Sequence, residues 1–123
     1  MSMNTDIMND YAELTAFIDI DGVLKRVVGN RDLLFRLLRN FKGWEMAAKV
    51  AEAAESGDSA KLAYEAHKMK GVSANLGLKG IESVLHGIES CAKAGQDAMD
   101  LVPVLDAVVE ETMRVIEEML KDN

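Results

Sequence analysis

The chain has 123 residues and a formal net charge of −7 at pH 7, with 49% hydrophobic but only 5% aromatic residues and a single proline. That length suits one domain with a single core, and a composition rich in Leu, Ala, Val and Met favours packed helices over a β-sandwich. The acidic balance argues against nucleic acid or an anionic membrane surface as partner. Cys91 is the only cysteine, which excludes an intramolecular disulfide and makes a reducing compartment the simpler expectation. The opening MSMNTDIMND lacks the basic and apolar regions of a signal peptide. No apolar run approaches the roughly 20 residues of a membrane span. A monomeric cytoplasmic protein is expected, and the start at Met1 leans toward a stand-alone chain.

In chain order, a first short helix is expected from about Asp10 to Phe17 and a second over Gly22 to Val28. Asn30 is a candidate N-cap for a longer helix whose Leu34, Leu37, Leu38 and Phe41 share a face. Gly43 either kinks that helix or divides it before Trp44, Ala47, Ala51 and Ala54 continue the stripe. Ser56-Gly57-Asp58 reads as a turn, with Asp58 capping a helix that runs to Asn75-Leu76-Gly77, where the glycine fits the position just past a helix end. The next helix packs through Ile81, Val84, Leu85, Ile88, Cys91 and Ala92 and stops near Gly95. The last begins near Asp100, tolerates Pro103 in its first turn, and packs through Leu105, Val108, Thr112, Val115, Met119 and Leu120. Short connections make neighbouring long helices antiparallel. The expected fold is all-α, an up-and-down four-helix bundle with additional short N-terminal helices. The whole of residues 1–123 is expected to form one domain, with 1–28 as the N-terminal addition and 30–121 as the bundle.

One helix carries a pattern that packing does not require. At about 100° per residue, Leu62, Met69, Ser73 and Leu76 cluster on one side, flanked by Ala66 and Val72, and His67 points roughly 150° away from them. Its neighbours on that face, Ala60, Ala63, Gly71 and Ala74, are all small. Glycine inside a helix costs about 1 kcal/mol relative to alanine, so Gly71 needs a reason, and close approach of a partner is one. Lys70 lies about 60° around the helix, and its stem leans back toward the ring.

The segment HKMKGVSANLG resembles the signature of histidine-containing phosphotransfer domains of phosphorelays, matched here by His67, Met69, Lys70, Gly71, Ser73, Ala74, Leu76 and Gly77. The likeness extends upstream through Gly29 to Phe41 and Ser56 to His67. Met69 replaces the usual leucine, and Lys68 adds a second positive charge. The resemblance implies a phosphocarrier and not an enzyme, with His67 accepting a phosphoryl group and Lys70 compensating its charge. It also implies a response-regulator receiver domain or a histidine kinase as partner. Mg²⁺ would sit on the receiver, leaving this chain without a cofactor or metal of its own. Imidazole suits the task because its neutral, nucleophilic form is available near neutral pH. His67 lies in mid-helix, away from any helix N-terminus that would bind phosphate. Ala63, Tyr64, Lys68, Gly71, Ala74 and His86 form the candidate partner surface.

His86 and Glu89 follow His67 by 19 and 22 positions, a spacing similar to the second histidine and the glutamate of chemotaxis-type histidine kinases. There the glutamate accepts from Nδ1 of the acceptor histidine and leaves Nε2 free. Glu89 lies about 100° from its helix's apolar stripe, within reach of a neighbouring helix, and it can equally pair with Lys93 one turn on. Two other functions compete with the carrier: an interaction module of the same fold that docks a receiver without phosphotransfer, and a metal-binding bundle. The latter has little support, because such sites gather inward-facing Glu and His.

Overall fold

The computed structural model describes residues 18–121, and the helix expected over Asp10–Phe17 lies outside them. Three of the helices start where a side-chain oxygen takes an orphan backbone amide. Asp19 accepts from Gly22 N at 3.0 Å, Asn30 from Leu33 N at 3.0 Å and Asp58 from Lys61 N at 3.1 Å. They open α1 (Ile20–Arg26), α2 (Arg31–Arg39) and α4 (Ser59–Asn75). Such a cap is worth about 1 kcal/mol. Asn30 and Asp58 act as the sequence suggests. Asp19 does the same unannounced, and α1 therefore starts and ends two residues before the expected Gly22–Val28. The remaining helices are α3 (Gly43–Ser56), α5 (Lys79–Lys93) and α6 (Val102–Lys121), the last preceded by a 3₁₀ turn at Met99–Leu101.

Gly43 divides two helices and kinks neither: α2 ends at Arg39, and α3 begins at the glycine. The four long helices are thus α3 to α6. Each packs against its two sequence or ring neighbours, α3 on α4 and α6, and α5 on α4 and α6, with α4–α5 the most extensive pair. That closed ring, joined by short links, is the antiparallel up-and-down bundle. The helices α1 and α2 are additions to it, α2 lying against α1 and α6. Among the described residues no strand forms, only an isolated bridge between Ile18 and Leu78.

Leu62, Met69 and Ser73 of α4 are buried as the periodicity indicates, as are Ile81, Leu85 and Ile88 of α5. Ala66, expected at the flank, is at the centre of the stripe and fully buried, while Val72 remains on the surface. Two stripes differ from expectation. In α2, Leu37 is exposed and Phe35 takes the inner place beside Leu34 and Leu38. In α3 the buried set is Gly43, Ala47, Val50 and Ala53, and Trp44 is half exposed. Treating the large indole as an anchor rotates the inferred stripe away from the one that small residues make, which lets α3 come close to its neighbours. In α6, Val109 and Ile116 join Leu105 and Val108 in the core.

The N-terminal addition fastens the end of α4. Arg26 donates from one guanidinium nitrogen to Ala74 O at 2.6 Å and Asn75 O at 3.0 Å, two carbonyls at the helix C-terminus. Asp19 N donates to Gly77 O at 2.9 Å. Gly77 has φ +69°, and a Cβ there would stand 2.5 Å from Val23 Cγ2. Sequence reading makes this glycine a helix stop rather than a contact; it is both, because α1 presses on the turn it forms.

Candidate functional site

The side chains that α4 and α5 bury are apolar apart from Ser73 and one carboxylate. Glu89 is 4% exposed. An isolated ionised carboxyl in such a place would be strongly unfavourable, and its oxygens are occupied accordingly. Oε1 accepts from the Lys70 ammonium. Oε2 lies 2.8 Å from His67 Nδ1 and 3.3 Å from Lys93 Nζ. His67 and Lys70 come from α4, three positions apart and so on adjacent parts of one face, while Lys93 follows Glu89 by one turn of α5.

Those contacts hold the Glu89 carboxyl at a pKa of about 2, below its ordinary 4.5. The hydrogen bond from Lys70 is the largest cause, burial opposes it, and the Lys93 and His67 contacts add to the lowering. Glu89 is therefore ionised at neutral pH and has no proton to give. The contact with His67 is a hydrogen bond only if Nδ1 carries the hydrogen. In the neutral ring the lone pair is then on Nε2, and the His67 side chain is 71% exposed. A bond on the inner nitrogen has fixed the tautomer of an imidazole whose outer nitrogen meets solvent.

Around the ring lies an open depression of about 320 Å³, where His67, Lys70, Gly71 and Ala74 of α4 face Glu82, Ser83 and His86 of α5. Gly71 is exposed, and a Cβ placed on it would meet nothing within 4 Å. Nothing among the described residues requires a glycine there, so its helix penalty is uncompensated by their packing. The floor it leaves beside His67 is bare.

Of the sequence-predicted site residues, the structure brings His67, Lys70, Gly71, Ala74, His86 and Glu89 together. Ala63 is half buried one turn before His67, and Tyr64 is exposed beside it. Lys68 lies elsewhere, on a small groove shared with Glu45, Met46 and Lys49 of α3. Two expectations change in detail. Lys70 does not stand free beside the ring but is tied to Glu89, and Glu89 makes both of the contacts between which the sequence offered a choice. Sequence reading did not single out Glu82 and Ser83. Their signal was the spacing to His86, four and three residues, which puts all three on one face of α5. Among the described residues no group of three or more His, Cys, Asp or Glu side chains is placed to hold a metal ion. No helix among them is long and apolar enough to cross a membrane.

An antiparallel bundle that presents an exposed imidazole whose inner nitrogen is held by a buried carboxylate defines a histidine-displaying helical protein of a specific kind. The sequence model of the Hpt domain family matches residues 36–122, most of the chain, and the chain belongs to that family. Membership brings a phosphotransfer role in two-component signalling, in which Hpt domains act as phosphocarriers that interact with receiver domains and kinases. The match leaves α1 and the start of α2 outside it. No curated protein and no solved structure matches the chain.

Proposed function

We propose that His67 Nε2 accepts a phosphoryl group from a receiver-domain aspartate, or from a histidine kinase, and passes it to a response regulator in the cytoplasm. The observation that carries this reading is the hydrogen bond from His67 Nδ1 to an ionised, buried Glu89. It directs the lone pair of the neutral ring outward, toward a partner. Attack by Nε2 on an aspartyl phosphate forms the N–P bond and breaks the P–O bond, whose electron pair leaves on the aspartate carboxylate. Nδ1 keeps its hydrogen throughout. The ring gains positive charge in the product, and the Glu89 carboxylate lies against it. Lys70 supplies charge compensation for the phosphoryl oxygens, as transfer of this kind demands.

The docking surface in this reading is the bare strip of Ala63, Gly71 and Ala74 with Tyr64 and His86 at its edges, while Lys68 faces the neighbouring groove with α3. The Mg²⁺ that assists transfer belongs to the receiver, and this chain brings the nucleophile and its orientation. The test is to mix the protein with a phosphorylated receiver domain and follow the phosphate. An acid-labile, base-stable label on His67 is expected, absent in His67→Gln, whose fold survives because the ring is exposed. A label on aspartate or serine would overturn the assignment. Signalling that persists in His67→Gln would favour docking without transfer.

A further inference from the structure

The resting arrangement contains a conflict. Lys70 is the cation nearest to hand for an incoming phosphoryl group, yet its ammonium is already bonded to Glu89 Oε1. A dianionic group arriving beside it competes for the same donor hydrogens. As Lys70 turns outward, Glu89 loses its strongest partner. At the same moment its other oxygen must hold a ring that is becoming positive. Until that charge has developed, a buried carboxylate without Lys70 is poorly compensated, and it would be drawn toward protonation.

Lys93 is placed to prevent that. Its Nζ is 3.3 Å from Oε2, the oxygen that also holds His67 Nδ1, and its side chain is 67% exposed. It reaches Glu89 from α5 itself, in the favourable glutamate-then-lysine order at one turn's spacing. Lys70, by contrast, reaches across from α4. The two lysines therefore hold different oxygens from different helices, and only one of them borders the depression into which a phosphoryl group would come.

We propose that Lys93 is a positioning residue for phosphotransfer: the standing counter-ion that keeps Glu89 ionised and seated against His67 while Lys70 swings to the phosphoryl oxygens. This rests on the reading of His67 as phosphoacceptor. It makes the two lysines redundant in the resting protein and unequal in the loaded one.

The experiment uses a small P–N donor, phosphoramidate, so that docking of a partner protein plays no part. His67 Nε2 forms the N–P bond, the donor's P–N bond breaks, and ammonia leaves. With the full chain, Lys93→Ala is expected to slow loading of His67 about threefold to fivefold, the upper range for a largely exposed ion pair. The ¹⁵N NMR signature of its resting ring should remain that of the Nδ1–H tautomer. Lys93→Arg should restore the rate. In Lys70→Ala/Lys93→Ala the resting ring itself should show a mixture of tautomers, which neither single variant does. Loading at the wild-type rate in Lys93→Ala would overturn the proposal while leaving His67 as acceptor intact. A Lys93→Ala ring already mixed at rest would overturn it too, by showing that Lys70 alone does not hold Glu89. If the wild-type protein takes no phosphate from this donor or from a receiver, the acceptor reading falls and this inference with it.

Discussion

Two of the depressions on the bundle lie on opposite sides of its ring of helices, and the larger of the two is not the one with chemistry. Between α3 and α6 a depression of about 610 Å³ is lined by Trp44, Ala48 and Ala51 on one side and Pro103, Asp106 and Ala107 on the other. The α4–α5 depression is about half that, 320 Å³. Both are lined by small residues together with charged ones. The difference lies underneath. Behind α4–α5 a carboxylate is buried with three cationic or ring nitrogens on it, whereas the charged residues lining α3–α6 are exposed. A concave surface alone selects nothing; a buried charge fixes the direction and protonation of the group above it.

Substitutions can break that contrast, and the largest effect expected is on His67. In His67→Gln, phosphate transferred from a receiver should vanish altogether while thermal unfolding is nearly unchanged. Next is Glu89→Gln, which keeps the shape and removes the charge. Transfer should fall roughly 10- to 100-fold, the usual consequence of losing an orienting partner behind a functional histidine, as measured by single-turnover kinetics. The same variant has a signature in acid. A carboxyl held at about 2 against an ordinary 4.5 stabilises the fold fully above about pH 4.5 and loses that contribution as pH falls toward 2. Denaturant unfolding across that window should show wild-type stability falling more steeply than that of Glu89→Gln.

Gly71→Ala sharpens the contrast from the other direction. The added methyl meets nothing within 4 Å, so stability should rise by about 0.4–1 kcal/mol, while receiver affinity and transfer decline by less than in Glu89→Gln. A residue that weakens the fold for its own sake would not behave so. Smallest in its effect on transfer is Trp44→Ala in the opposite groove: the indole is 50% exposed, so loss of its buried half should cost about 1–2 kcal/mol of stability, and the transfer rate should not move.

Much of the site-bearing half was legible in the sequence because its determinants are local. Asn30 and Asp58 are caps by residue type and position, and the face of His67 follows from the helical repeat and four small neighbours. What escaped was long-range or two-sided. Arg26 closes α4 from about fifty positions upstream, and no periodicity announces a contact of that kind. Periodicity alone turns the α3 stripe toward Trp44, which is large and apolar, while close helix packing there is made by Gly43, Ala47 and Ala53. Glu89 looked like a choice between His67 and Lys93. A carboxylate has two oxygens with about four acceptor sites between them, and burial recruits a donor to as many as it can.

The central claim is that Glu89 holds the hydrogen on His67 Nδ1 and so leaves Nε2 as the nucleophile. It is tested most directly by phosphorylating the protein and locating the phosphorus by ³¹P–¹⁵N coupling in the His67 ring. Phosphorus on Nε2, with the hydrogen retained on Nδ1, is the predicted result. Phosphorus on Nδ1 would contradict it, since that nitrogen would have had to leave Glu89 before it could react.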